Sequence, residues 1–256
     1  MLKRSFVNRQ ETAVALLYRP ASAAKAIAGA RAAECDGADG IALEISHLPL
    51  EERSVESFRG IINSVQLPFM CINYRKDIFF GADDEARQPF LLRAAEAGAD
   101  VIDVMGDLYA PAPRELTFDV AAVKKQKELI AQIHSKGAYV LISSHATSEF
   151  IPPEDVLAMM EEQSARGADI LKVVTRVETE EEFLKAVETL LLLHRKLEKP
   201  FIYLAGGKFG RMVRYMGPKF GVAVEFAVHE YEESGVYAQP TIRSFRKVLD
   251  NLHWSI

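Results

Sequence analysis

A lysine interrupts an apolar strand-like run at residues 169–175, DILKVVT, where Lys172 alternates with aliphatic neighbours. In a β-strand, side chains of one parity share a face, so Lys172 lies with Ile170 and Val174 while Leu171 and Val173 point the other way. Burying an unpaired ammonium is costly. Such a position therefore favours a neutral, nucleophilic amine of the kind that forms imines with carbonyl substrates. The same pattern also fits a strand-end lysine that reaches solvent or pairs with an acid. A second run, AYVLISSH, ends in His145, a residue suited to general acid/base work, although a lone histidine is equally at home as a structural group. Glu44 in IALEI, Arg75 in CINYR and Asp103 in VIDVM fall at comparable depth in other runs. Buried carboxylates need partners, so these five residues converge on either one functional centre or one structural ion network. The segment AGGKFGRMVRYMG carries Lys208, Arg211 and Arg214 among glycines, which suits an anion-binding loop but matches no P-loop spacing. Gln239, in the loop-like HEYEESGVYAQPT, is a further candidate ligand contact on a segment able to fold over the site as a lid.

These residues need a frame that brings strand ends together. Short β-branched runs at 13–18, 40–45, 68–75, 100–105, 138–144, 169–175, 200–205 and 222–226 alternate with helical stretches at 22–35, 55–65, 85–97, 118–135, 152–165, 180–197 and 241–253. No hairpin signal joins any two strands, so each crossover predicts parallel pairing. Eight such units in 256 residues predict a single-domain (β/α)8 barrel over residues 1–256, with its site at the C-terminal ends of the strands. A doubly wound open sheet remains the alternative.

Composition narrows the function. A net charge of −5 disfavours a nucleic-acid surface. The longest apolar stretch, near Leu190, is far short of a membrane span, and the polar first residues lack a secretory core. Two cysteines are too few for a disulfide framework, and Cys71 reads as a small core residue. A cytoplasmic enzyme with a small-molecule substrate follows. The six histidines are scattered without metal-site spacing, so neither metal nor cofactor is expected; a metal held by Glu44, Asp103 and His145 is the competing arrangement.

The ordered set LEIS, NYR, VIDV, SSH, DILKVV, GGKFGRMVR and AQP resembles the type I 3-dehydroquinate dehydratases, Schiff-base barrels of the shikimate pathway and aromatic amino-acid biosynthesis. The resemblance implies a lyase that converts 3-dehydroquinate to 3-dehydroshikimate and water. Lys172 then forms the imine and His145 moves the protons. Arg214 and Gln239 match positions that hold the substrate carboxylate, Glu44 and Arg75 match positions that hold ring hydroxyls, and Asp103 matches an acidic position beneath the site. A homodimer is the family expectation. The chain departs from the pattern at Ser46, where an arginine is usual, at Phe79, where a glutamate orients the histidine, and at Gly235, where a lid serine is usual beside Ser234. The N-terminus is also too short for the hairpin that commonly closes the barrel floor. These departures keep open a related Schiff-base aldolase or dehydratase for another oxo-acid or sugar phosphate, and a non-catalytic metabolite-binding relative.

Overall fold

A computed structural model describes residues 5–7, 9–231 and 239–256, so Ser234 and Gly235 lie outside the described residues. Eight strands run in chain order, β1 (Ala13–Tyr18), β2 (Gly40–Glu44), β3 (Phe69–Ile72), β4 (Val101–Met105), β5 (Tyr139–His145), β6 (Ile170–Arg176), β7 (Phe201–Gly206) and β8 (Val224–Ala227). They alternate with α1 (Ala23–Cys35), α2 (Val55–Ile62), α3 (Asp84–Ala97), α4 (Val120–Ser135), α5 (Pro153–Ala165), α6 (Glu180–Lys196), α7 (Gly210–Met216) and α8 (Ile242–Asn251). Every strand pairing is parallel, and β1 pairs with both β2 and β8. The sheet order β7-β6-β5-β4-β3-β2-β1-β8 therefore curls into a barrel, with the Ala223 N–H donating to Phe201 O at 2.8 Å across the β7–β8 seam. That ring excludes the doubly wound alternative.

Local chemistry sets where the helices start. Side chains of Ser22, Ser54, Asp83, Asp119, Thr179 and Thr241 accept a hydrogen bond from the third residue on, satisfying an amide that the first turn leaves open. At α6, Thr179 and Glu182 form a reciprocal capping box.

Strand parity then divides the side chains into two cores. One parity packs outward under the helices, including Leu43, Ile102, Ile142, Leu171 and Val173. The other fills the barrel with Ala42, Met70, Ile72, Val101, Leu141, Ile170 and Phe226. Among the described residues no strand precedes β1. Instead Phe6 enters the barrel floor, its N–H held by Asp100 Oδ2 at 2.8 Å. Gly40 makes room for it, since a Cβ there would lie 2.2 Å from the Phe6 ring.

The segment expected to be a long anion-binding loop differs. Residues 210–216 form α7, and the preceding turn is occupied by the chain's own Glu178, whose Oε2 accepts from the Lys208 N–H at 3.1 Å. A carboxylate from the β6–α6 connection thus holds the backbone donor that the glycines expose.

Candidate active site

Stepping two residues up each inward row, the apolar interior turns polar at one level. Ala42 is followed by Glu44, Ile72 by Tyr74, Val101 by Asp103, Leu141 by Ser143 and His145, and Ile170 by Lys172. The parallel register sets Ser143 opposite Lys172 and His145 opposite Val174. All of these side chains approach the C-terminal mouth, where barrel sites lie.

Lys172 is 3% exposed and is paired with an acid, the arrangement that the strand pattern left open. Its Nζ donates to Asp103 Oδ2 at 3.2 Å and to Tyr74 Oη at 2.7 Å, and lies 5.4 Å and 5.1 Å from the ring centroids of Tyr74 and Phe226. Asp103 has two further donors, with Ser143 Oγ donating to Oδ1 at 2.6 Å and Tyr74 Oη donating to Oδ2 at 2.8 Å. Burial of the Tyr74 hydroxyl, reinforced by the Asp103 charge, pushes the phenol well above its ordinary range, so it stays protonated. From α5, the amide of Gln163 accepts from the Lys172 N–H and donates to its carbonyl, both at 2.9 Å, which locks the backbone beneath the amine.

His145 stands edge-on to Tyr74, ring centroids 5.0 Å apart, with Nε2 3.3 Å from Tyr74 Oη. Its Nδ1 lies 2.6 Å from Glu115 Oε2. A carboxylate only accepts, so Nδ1 carries a proton and Nε2 becomes the basic nitrogen, turned toward the lysine. Glu115 reaches this position on a contorted loop, where Arg114 and Glu115 have φ of 58° and 50°. Left-handed backbone at two successive non-glycine residues costs about 1–3 kcal/mol each, and the loop is held against that cost. Ser144 Oγ donates to the Glu115 carbonyl at 2.9 Å, and Arg114 pairs with Glu149 and Asp155. Gly106 permits the approach, because a Cβ there would meet Glu115 O at 2.6 Å.

Beside this cluster opens a cleft of about 320 Å³ lined by Arg19, Glu44, His47, Tyr74, His229 and Gln239, among others. Glu44 is buried and its Oε2 accepts from Arg19 Nε, while Oε1 has no partner in the protein. That leaves an unsatisfied buried acceptor on a residue that lines the cleft. Gln239, also buried, lines the same cleft.

The structure thus brings Lys172, His145 and Asp103 together, with Glu44 and Gln239 at the adjoining cleft. Two expected ligand contacts are placed elsewhere. Arg75 donates to Asp84 Oδ1 and Oδ2 at 3.1 and 2.7 Å, to Asp107 Oδ1 and Oδ2 at 2.8 and 2.9 Å, and to Asp107 O at 2.9 Å. Most of its donors are engaged, because α3 and the turn after β4 bring two carboxylates to it. Those bonds hold the carboxyl of Asp84 below its usual range despite burial. Arg214 is buried on α7 with Nε donating to Ala205 O at 3.1 Å and Nη1 without a partner among the described residues, and it is not among the residues lining the cleft. The charge of Glu225, an outward residue of β8, bears on it; burial pushes the Glu225 carboxyl far up, with Arg214 opposing. Phe79 does not approach the histidine; its ring lies 5.2 Å from the guanidinium of Arg53, which pairs with Asp77 in the fully buried bridge beneath. Buried Ser46 offers its carbonyl to that same Arg53 at 3.0 Å.

Tyr74, Glu115 and Arg19 are the site residues absent from the sequence expectation. Inward parity beyond β3 and β1 is a signal for the first and last, whereas nothing in the sequence marks Glu115. Among the described residues, no group of three or more His, Cys, Asp or Glu side chains is arranged to hold a metal ion. No helix among them is long and apolar enough to cross a membrane.

Comparison with known proteins agrees with this geometry. A family model described as type I 3-dehydroquinase matches residues 20–255. The 3-dehydroquinate dehydratase of Alkaliphilus oremlandii is 27% identical over 128 residues, an alignment spanning 50% of this chain and about half, 49%, of that relative. That of Klebsiella pneumoniae is 25% identical over 201 residues, covering 78% of this chain and 74% of the relative. The crystal structure of 3-dehydroquinate dehydratase from Geobacillus kaustophilus superposes with a TM-score of 0.78 at 20% identity, covering 95% of this chain and 92% of that one. A type I enzyme from Clostridium difficile with covalent modified comenic acid gives 0.78 at 16% identity, covering 96% and 94%. At these identities the solved structures establish the shared barrel.

Proposed function

The chain belongs to the type I 3-dehydroquinase family, and from that premise we propose that it dehydrates 3-dehydroquinate to 3-dehydroshikimate through an imine on Lys172, with His145 as acid and base. The observation that carries this reading is convergence on one point. Lys172 Nζ and the basic Nε2 of His145 lie 2.7 and 3.3 Å from the same oxygen, Tyr74 Oη. A substrate carbon bonded to Nζ therefore has its neighbouring carbon within reach of Nε2, the proximity that a positioned base requires.

In this reading Nζ attacks the ketone and water leaves, giving a protonated imine. Nε2 removes a proton from the adjacent carbon, and the C–H electrons flow toward the imine nitrogen. The resulting enamine expels the hydroxyl one carbon further on, which takes the proton back from His145 and departs as water. Hydrolysis of the product imine frees the lysine. Asp103 balances the cationic nitrogen throughout, and the Glu115 carboxylate stabilises the imidazolium each time it forms. Glu44 and Gln239, facing the cleft, are assigned to substrate hydroxyl and carboxylate groups. The one barrel is the catalytic unit, and a cytoplasmic homodimer completes the reading, its assembly testable by light scattering.

Growth of enone absorbance on adding 3-dehydroquinate tests the assignment. Turnover that His145→Ala slows by about 100-fold or more supports it, and no absorbance growth with the wild type overturns it. Engagement of Arg75 with Asp84 and Asp107 favours a second reading, the same imine chemistry on a different oxo-acid. Borohydride trapping across a panel of keto-acids and sugar phosphates separates the two.

A further inference from the structure

A phenol has one proton, and Tyr74 Oη has three polar neighbours. Lys172 Nζ at 2.7 Å only donates, Asp103 Oδ2 at 2.8 Å only accepts, and His145 Nε2 at 3.3 Å does either. The hydroxyl therefore always accepts from the lysine, and its own proton has two destinations, the carboxylate or the imidazole. Lys172 and His145 have no direct hydrogen bond; among the described residues, Tyr74 is the side chain that bonds to both.

Imine chemistry at Lys172, the reading on which this inference rests, meets an obstacle in that arrangement. An ammonium paired with Asp103 has no lone pair with which to attack a ketone. The Asp103 carboxylate already accepts from three donors, Ser143, Tyr74 and Lys172 itself. We propose that the Tyr74 hydroxyl is a catalytic relay that carries the blocking proton from Lys172 to His145. The phenol proton swings from Asp103 to Nε2 and transfers to it, while Tyr74 Oη takes one proton from Nζ. Tyr74 ends as a phenol again, Lys172 as a neutral amine and His145 as an imidazolium against Glu115. One positive charge has moved and none has been created. After the N–C bond forms, the imidazolium returns that proton to the carbinolamine oxygen, which leaves as water, so imine formation needs no net proton from solvent.

The strongly raised phenol is consistent with exchange through a protonated hydroxyl, not with a free phenolate acting as base. The ring has separate duties, edge-on to His145 at 5.0 Å and beside Nζ at 5.4 Å. Tyr74→Phe keeps the ring and removes the hydroxyl, with its bonds to Lys172, Asp103 and His145.

Rapid-quench borohydride trapping with 3-dehydroquinate, scored by intact mass from about pH 6 to about pH 9, reads the step directly. Tyr74→Phe is expected to form adduct about 100-fold more slowly, to the same final extent. Its rate should keep climbing with pH to the alkaline end of that range, because the variant must wait for solvent to deprotonate the lysine, whereas the wild type needs only a neutral imidazole at His145. A wild-type rate, or a slowed rate with the wild-type pH profile, overturns the relay and leaves a packing role. Should the variant not fold, adduct formation by the wild type in deuterium oxide decides: slowing supports the relay and an unchanged rate overturns it. A wild type that forms no adduct overturns the dehydratase reading together with the relay, an outcome distinct from an unaffected variant.

Discussion

The contact between Glu115 and His145 is the most exacting place to perturb this site. Replacing Glu115 with Gln keeps an acceptor for the Nδ1 proton and removes the negative charge that faces the imidazolium. Two unit charges about 4 Å apart attract by about 4 kcal/mol at an effective dielectric of about 20 and by about 1 kcal/mol in water. The imidazole and carboxylate side chains are 18% and 30% exposed, with Nδ1 and Oε2 2.6 Å apart. Screening at that exposure brings the value to about 2 kcal/mol, or about 30-fold in rate. Glu115→Ala also frees the ring to turn and to carry its proton on the wrong nitrogen, so a loss of about 300-fold is expected, consistent with the larger cost of a wrong tautomer. Steady-state kinetics on 3-dehydroquinate by enone absorbance gives kcat and kcat/KM, and the loss should fall on kcat. A Glu115→Gln enzyme within threefold of wild type would falsify the assignment of Glu115 as the group that orients and charges His145.

Three further outcomes follow from the surroundings. Arg75→Met strands Asp84 and Asp107 and should lower stability by about 3 kcal/mol in urea denaturation, with KM near wild type; a tenfold rise in KM at unchanged stability would instead make Arg75 a ligand contact. Arg19, 44% exposed beside buried Glu44, should raise KM about tenfold when changed to Ala and lower the melting temperature, because Glu44 loses its cationic partner, whereas an unchanged KM removes it from substrate recognition. Burial raises the Asp77 carboxyl, but the bonds from Arg53 and from the Phe79 and Phe80 amides prevail and hold it below its ordinary 3.8. In the window beneath 3.8 the unfolded chain binds more protons than the folded one, so the stabilisation is complete above that pH and lost as pH falls through the folded value. Asp77→Asn should accordingly cost about 3 kcal/mol at neutral pH, with the deficit shrinking in acid; an equal deficit at both pH values contradicts the assignment.

Much of this site was legible because parallel strands obey parity. Lys172 does share its face with Ile170 and Val174, and alternation alone puts Asp103 and His145 on the same inner surface. The same rule applied beyond the end of β3 would have found Tyr74, which the motif NYR concealed beside a more conspicuous arginine. What alternation does not convey is where a long cation points. Arg75 turns to Asp84 and Asp107 because α3 and the turn after β4 meet it in space, and Arg214 is buried with its Nε on the Ala205 carbonyl. Glu115 was hidden for a different reason. It sits on a left-handed turn outside any periodic element, and its role depends on Ser144 and Gly106, neither of which is adjacent to it in the chain. The histidine-orienting carboxylate expected near residue 79 is thus supplied from the loop after β4, a change that only the assembled barrel reveals.

The most direct measurement is borohydride reduction of the full chain with 3-dehydroquinate, followed by peptide mass analysis. A mass increase confined to the peptide carrying Lys172, absent in Lys172→Ala, is the expected result. No adduct on the wild type, or an adduct that persists in Lys172→Ala, would contradict imine catalysis at this lysine.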